Sequence, residues 1–414
     1  MPVYLGIDWS QVKHDAVFLN EAGAVLAQLT LSHRPEGFLQ LDATRQQLGV
    51  EAPECLVGLE TAHNLLVDFL WDQGYSQVYV LPPKMVQRSR ERYRQSGARS
   101  DLSDAFVIAD VLRTSRGRLQ PWFPDSLLTR QIRAKVSLIQ YLTHTAVRLS
   151  NRLQAVLSRY YPLALQVFSE PTTQIGLHFI QCYPTPQEAA ELTLKTFRDF
   201  GRQYRYTRRD ALVRAFSHLQ ASYPEASPET AQIYRQEVVL MARLLLETAE
   251  ARKAAMRDLR PLFQQHPAAE IFASLPGAGD LLAPSLLAKF GDDRARFPSP
   301  GSVQALAGTC PVTKSSGKRT IITFRYACDR EFPRNPHLGS RQIAVQWARC
   351  SLADSVWANA YFESVRPHCR SLSHAYRCLA NRWLAIAWKL WQTRECYDED
   401  YHLRQRAIRS VPRA

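Results

Sequence analysis

Val3-Tyr-Leu-Gly-Ile-Asp8 is a short apolar, β-rich run that stops on a carboxylate. Ala16-Val-Phe-Leu19 follows, then the turn residues Asn20-Glu-Ala-Gly23, then Ala24-Val-Leu-Ala27. Two β-forming runs around an Asn/Gly turn read as a hairpin. Cys55-Leu-Val-Gly-Leu-Glu60 reads as a fourth strand, again closed by a carboxylate. From Asn64 to Gln73 the residues Leu65, Leu66, Phe69 and Leu70 keep helical spacing, and Gly74 ends the run. Gln77-Val-Tyr-Val-Leu81 reads as a fifth strand, stopped by Pro82-Pro83. A basic helix is expected next, and another near Asp101 with Ala105, Ile108, Ala109 and Leu112 on one face. A hairpin followed by strands alternating with helices predicts a mixed α/β sheet with helices packed against it.

Beyond this the character changes. Pro121 to Pro124 reads as a linker. Leu127 to Tyr160 lacks Gly and Pro and spaces Ile132, Val136, Ile139, Leu153 and Val156 helically. Thr230 to Leu259 is a second long helical segment, with short helices and loops between the two. The pair predicts either an antiparallel hairpin or a dimerising coiled coil, which imperfect heptads do not separate. Ser274-Leu-Pro-Gly-Ala-Gly279 reads as a tight turn between helices. Such a turn either offers backbone N–H groups to a phosphate or simply joins two helices. Trp347, Trp357, Trp383, Trp388 and Trp391 keep helical company near the end of the sequence and are expected in a core. The expected plan is multi-domain, α/β plus all-α. It has a catalytic domain over 1–120, a long-helix region over 121–265 and a helical domain over 266–400. A basic tail covers 401–414.

With 414 residues the chain exceeds one ordinary core, and 46% apolar residues exclude a disordered polymer. No apolar run approaches the ~18 residues of a membrane span. The first residues lack a basic region and cleavage site, so a cytoplasmic protein without membrane partners is expected. Eight cysteines without a CxxC pair predict reduced core thiols, not a zinc ribbon or disulfide framework. Lys plus Arg total 52 against 38 Asp plus Glu, a net +14 that favours polyanionic partners. Lys84, Arg88, Arg90, Arg92, Arg94 and Arg99 form one basic run; Lys314, Lys318, Arg319, Arg325 and Arg330 form another.

Taken singly, Asp8 and Glu60 are ordinary strand-end acids. Asp101 and Asp104 alone suit the first turn of a helix, where acids cap and complement the dipole. Taken together, four carboxylates brought to one point repel unless a divalent cation neutralises them, and oxygen ligands suit Mg²⁺ or Mn²⁺. Two such ions ~3.5–4 Å apart clamp a phosphodiester. The run with Lys84, Arg88, Arg92 and Arg99 is then a track for backbone phosphates. Further on, Ser315-Ser316-Gly317 lies among Lys314, Lys318 and Arg319. A serine in cationic surroundings suits attack at a phosphate. A basic surface turn accounts for the same composition, and no histidine base stands near. The segment lacks P-loop spacing.

In these residues the chain resembles the insertion-sequence transposases that join an N-terminal DEDD, RuvC-like domain to a C-terminal serine transposase domain. Piv- and MooV-type invertases are relatives of that family, and some members are bridge-RNA-guided recombinases. The resemblance rests on Gly6-Ile-Asp8, Gly58-Leu-Glu60-Thr61, Ser100-Asp101-Leu-Ser-Asp104-Ala105, Leu275-Pro-Gly-Ala-Gly279, Cys310 to Lys318, and Arg382 to Trp388 before Tyr397-Asp398. It implies an RNase H-like fold up to about residue 120, with Asp8, Glu60, Asp101 and Asp104 as Mg²⁺ ligands. It implies a serine nucleophile, Ser316 with Ser315 as alternate, and a covalent link to DNA. It further implies a homo-oligomer (dimer or tetramer), donor and target DNA, and a structured non-coding guide RNA. Three departures stand out: Arg99 replaces a lysine, Thr61-Ala-His63 lacks a glycine, and the serine loop has one glycine where some branches have two. A RuvC-type nuclease that activates water, without a covalent intermediate, is the alternative.

Overall fold

A computed structural model describes residues 2–61, 65–93, 101–221, 224, 226–316, 319–324 and 340–410. The chain forms two compact units. The first comprises residues up to 126 with 292–298; the second holds most of the remainder.

The first unit runs β1 (Val3–Trp9), β2 (Lys13–Leu19), β3 (Val25–Ser32), α1 (Pro35–Gln47), β4 (Cys55–Leu59), α2 (Leu65–Asp72), β5 (Val78–Val80), α3 (Pro83–Tyr93) and α4 (Asp101–Ser115). The strands form one sheet in the order β3-β2-β1-β4-β5. β1 pairs antiparallel with β2 and parallel with β4. The expected hairpin is present. Asn20 Oδ1 accepts from the Ala24 N–H at 2.9 Å, and Gly23 takes φ +86°, which a residue with a side chain avoids.

Both faces of the sheet are covered, which is why β1 and β4 read as unbroken apolar runs. Leu5, Ile7, Phe18 and Val57 pack with Phe38, Leu41, Leu66 and Leu70 of α1 and α2. Tyr4, Val17, Leu56 and Tyr79 pack with Ala105, Ile108, Ala109 and Leu112 of α4. Helix α1 was not legible in the sequence: it is poor in apolar residues and Arg34 offers no side-chain cap. Tertiary contacts hold it. Asp42 Oδ1 accepts from Arg45 Nε at 2.8 Å and from the Tyr75 hydroxyl at 3.0 Å, in a buried network. The expected linker begins as an addition to the sheet edge, where the Trp122 N–H donates to Val78 O at 2.7 Å.

The second unit runs α5 (Leu127–Tyr160), α6 (Gln174–Cys182), α7 (Pro186–Ala190), α8 (Leu194–Gln203), α9 (Arg209–Leu219), α10 (Pro228–Gln264), α11 (Ala269–Ala273), α12 (Gly279–Phe290), α13 (Pro300–Ala307), β6 (Pro311–Ser316), β7 (Arg319–Phe324), α14 (Ser340–Asp354), α15 (Val356–Val365), α16 (Leu372–Thr393) and α17 (Glu399–Ser410). Helices α5 and α10 pair antiparallel within the chain. Lys135 meets Asp258 at 2.8 Å and Arg152 meets Glu237 at 2.7 Å, so rising numbers on one helix face falling numbers on the other. Phe179, Phe197, Phe200 and Leu212 of the intervening short helices pack on Leu153, Val156 and Met241.

Trp347, Trp383 and Trp391 are fully buried, as expected of a core stripe. The Pro-Gly-Ala-Gly turn is occupied by packing. A side chain at Gly277, where φ is +70°, would meet the Ser351 backbone at 2.4 Å, and Trp347 Nε1 donates to Pro276 O at 2.9 Å. That close approach to α14 matches the plain helix-joining reading. The cysteine expectation fails in part: of the described cysteines only Cys55 is buried, while Cys182 and Cys396 are exposed. Among the described residues no helix is long and apolar enough to cross a membrane.

Candidate active site

Strand alternation decides where the first two carboxylates go. Tyr4 and Gly6 of β1 face α4, so Asp8 takes the same face. Leu56 and Gly58 of β4 also face α4, so Glu60, directly after the strand, follows. The two strands are parallel with Ile7 paired to Leu59, which makes Asp8 and Glu60 the next neighbours. Both are half-buried.

Gly6 brings in the second pair of carboxylates. A Cβ there would lie 2.1 Å from Ala105 O and 2.4 Å from Ala109 N, so the backbone of α4 rests directly on β1. Asp101 and Asp104 stand in the first turn of α4. The side chain of Asp101 lies outside the described residues. Asp104 is described, and Arg90 of α3 reaches it: Nε stands 2.9 Å from Asp104 Oδ1, in ion-pair range but off the hydrogen-bonding axis. The same guanidinium has a terminal nitrogen 3.7 Å from Glu60 Oε1. One cation thus holds two of the four predicted carboxylates.

Electrostatics agree with that arrangement. Burial pushes the Glu60 carboxyl above its ordinary range; Arg90 opposes the shift and Asp104 adds to it. A half-buried carboxylate beside another carries this penalty until positive charge arrives. Arg90 supplies part of that charge, and the acids' donors are hard oxygens of the kind Mg²⁺ and Mn²⁺ prefer. Arg90 counted in the sequence as part of the phosphate track, but it turns inward to the acids.

Sequence reasoning missed Asp15. It is the direct cross-strand partner of Asp8, is 4% exposed, and accepts from the Thr30 hydroxyl. The polar run Lys13-His-Asp15 did not look like a strand. Counting register back from the Ser10–Val12 turn between β1 and β2 places residue 15 opposite residue 8, and that count is the signal that finds it. On the other face, the fully buried His14 ring lies 2.8 Å from His33, and its Nδ1 accepts from the Ser10 N–H at 3.3 Å. Burial, then His33, push His14 down to about 4, so it is neutral at pH 7 and pins the segment after Asp8.

Of the predicted phosphate contacts, Arg88 is exposed on α3. Lys84 and Arg92 belong to α3, with side chains outside the described residues. Arg99 lies outside the described residues altogether. Ser315 and Ser316 are the last two residues of β6, opposite Thr320 and Arg319 of β7, in the second unit. Lys314 is in β6 and Arg319 opens β7, but the side chains of Lys314, Ser315, Ser316 and Arg319 lie outside the described residues, as does Lys318 entirely. Ser315 and Ser316, composed like a surface turn, thus stand at the end of a two-stranded ladder, and Gly317 lies outside the described residues. The ladder's β-branched residues Val312, Thr313, Thr320, Ile321, Ile322 and Thr323 supply the strand preference.

Two transposase family models match separate stretches of the chain. Residues 5–162 match the DEDD transposase domain model of the IS110 type, described as "Transposase". Residues 269–330 match the model described as "Transposase IS116/IS110/IS902 family". The chain is 29% identical over 96% of its length, and 96% of the relative's, to "Mini-circle putative transposase for IS117" of Streptomyces coelicolor. It is 24% identical to an uncharacterized insertion element IS110 protein of the same organism, over 93% of this chain and 92% of the relative. It is 25% identical to an uncharacterized insertion element IS900 protein of Mycobacterium paratuberculosis, over 96% and 97%.

Proposed function

The chain is a transposase of the IS110/IS116/IS902 family, and from that premise we propose that it cleaves and rejoins DNA through a serine nucleophile assisted by metal-binding carboxylates. In this reading the first unit is RNase H-like, of the RuvC type. Asp8, Glu60, Asp101 and Asp104 hold Mg²⁺ or Mn²⁺. When bound, the metal neutralises the carboxylates and stabilises negative charge on a phosphate oxygen. The observation that carries the proposal is the convergence at one sheet end: Asp8 and Glu60 each follow directly on the paired Ile7 and Leu59, and Arg90 is ion-paired to both Glu60 and Asp104.

Ser316, with Ser315 as alternate, attacks the scissile phosphorus. Its Oγ–H proton departs, an Oγ–P bond forms, the P–O bond to the leaving strand breaks, and the leaving oxygen takes a proton. A strand hydroxyl later reverses the step and restores the serine. Lys84, Arg88, Arg92, Arg99, Lys314, Lys318 and Arg319 contact backbone phosphates. Donor and target DNA are the substrates, a structured non-coding RNA selects them by base pairing, and the chain works as a dimer or tetramer.

A metal-dependent protein–DNA adduct on a nicked or supercoiled substrate tests this. Ser316→Ala is expected to abolish the adduct, with Ser315→Ala retaining it. If both variants still form the adduct, the serine assignment is wrong. The second reading, a RuvC-type nuclease, draws on the fact that every described residue of the carboxylate site belongs to the first unit. It expects free 5′-phosphate ends, no adduct, and cleavage that survives in both serine variants.

A further inference from the structure

The second unit carries a group of ligand-type side chains that the proposed reaction does not use. Cys369, His374 and Cys378 are each half-buried, and one ligand atom from each lies within 4.8 Å of the others. Local structure makes the cluster. A short 3-10 turn at Arg366–His368 ends at Cys369, and Ser371 caps α16 by accepting from the His374 N–H at 3.2 Å. That cap fixes the first turn of α16, so the chain just before it folds back over the helix. His374 and Cys378 are four residues apart on α16 and share one face. Cys369 arrives over that face from the preceding turn.

Two thiols and an imidazole around one point are the donor set of zinc-class cations. Tetrahedral coordination at ~2.3 Å to sulfur and ~2.0 Å to nitrogen sets ligand atoms ~3.5–3.8 Å apart, so the cluster has at most about 1 Å to close. One bond in its way is weak: the Arg370 N–H donates to His374 Nδ1 at 3.4 Å, the outer limit of a hydrogen bond. An ion on either ring nitrogen replaces it. Burial, with the Cys369 thiol beside it, pushes Cys378 up to about 11, while Arg377 and Arg382 oppose the shift. A soft cation bound there displaces the Cys378 proton.

A disulfide between Cys369 and Cys378 is the competing use of the same sulfurs, but it gives no reason for the histidine to stand in the same sphere. We propose that Cys369, His374 and Cys378 form a three-ligand site for a zinc-class divalent cation, with water in the fourth position, clamping the 366–371 turn to the start of α16. The CxxC spacing sought in the sequence was the wrong pattern. The ligands follow Cys-x4-His-x3-Cys, read off a turn and one helix face.

The test uses the full-length chain. Zinc content of the purified protein is measured by elemental mass spectrometry, and cobalt is added after chelation. One zinc per chain is expected, with a thiolate-to-cobalt charge-transfer band on replacement, which a carboxylate site cannot give. Cys369→Ser and Cys378→Ser should each weaken zinc retention against a competing chelator about 100-fold or more, with unchanged far-ultraviolet circular dichroism. A Cys182→Ser/Cys396→Ser double variant should retain the metal. The proposal is overturned if the wild-type chain shows no cobalt–thiolate band. It is equally overturned if metal content is the same in the Cys369 and Cys378 variants, or if peptide mapping finds these two residues joined as a disulfide. The cobalt result on the wild-type chain decides the matter even where a variant fails to fold.

Discussion

The carboxylates at the sheet end come from residues 8, 60 and 104: one on a strand, one just past a second strand and one on a helix. Cys369, His374 and Cys378 come from one turn and the helix it leads into. The first arrangement is held by long-range register: β1 must pair with β4 in step, and α4 must lie down on Gly6. The second is held by a single N-cap. Distant construction makes a site rigid but hostage to the whole fold, whereas local construction confines its failure to one turn. The contrast also separates the chemistries, since one cluster offers only hard oxygen and the other only sulfur and nitrogen.

The largest effect that sharpens this contrast is expected at Asp8. Asp8→Asn should lower metal-dependent strand cleavage about 1000-fold, equivalent to ~4 kcal/mol, while leaving zinc content unchanged. Cleavage assays and elemental analysis on the same preparation check both halves. A variant that still cuts at wild-type rate removes Asp8 from the chemistry.

Next is Gly6→Ala. The new methyl cannot fit between β1 and the backbone of α4, so helix and sheet must part. Stability should fall by about 3 kcal/mol, at the severe end for overpacking, because backbone and not a side-chain tip has to move. Urea unfolding followed through first-unit tryptophans such as Trp71 reports the loss, with cobalt binding by the second unit unaffected. Equal melting of variant and wild type would mean that α4 does not rest on β1.

The smallest effect is acid sensitivity. Unfolded His14 takes up a proton below its ordinary value of 6.5, whereas the folded residue resists until about 4. Acid therefore favours unfolding across that window, and stability present above pH 6.5 drains away as pH falls to 4. The loss is at most about 3 kcal/mol. His14→Gln should flatten this part of the unfolding-versus-pH curve. An unchanged curve would assign the acid limb to other groups.

Much of the first unit was legible because burial on both faces writes strands as continuous apolar runs, and because Asp8 and Glu60 end them. The order of elements followed from those runs and from Asn20–Gly23. Helix α1 was not legible, since its stability comes from contacts with distant Tyr75 and not from its own pattern. Arg90 and Asp15 escaped for a related reason. A basic residue in a basic run, or an acid in a polar strand, is assigned inward or outward only by three-dimensional neighbours. In the second unit the long helices and the buried tryptophans were readable from periodicity. The β6–β7 ladder was hidden because Ser315-Ser-Gly-Lys318 drew attention away from the β-branched residues flanking it.

The absence of a side chain at position 6 bears on how decayed mobile elements can be recognised. A genomic copy with every acid and serine intact but a bulkier residue there would have its helix levered off the strand. Position 6 then reports on the seating of α4 even where the acids are unchanged.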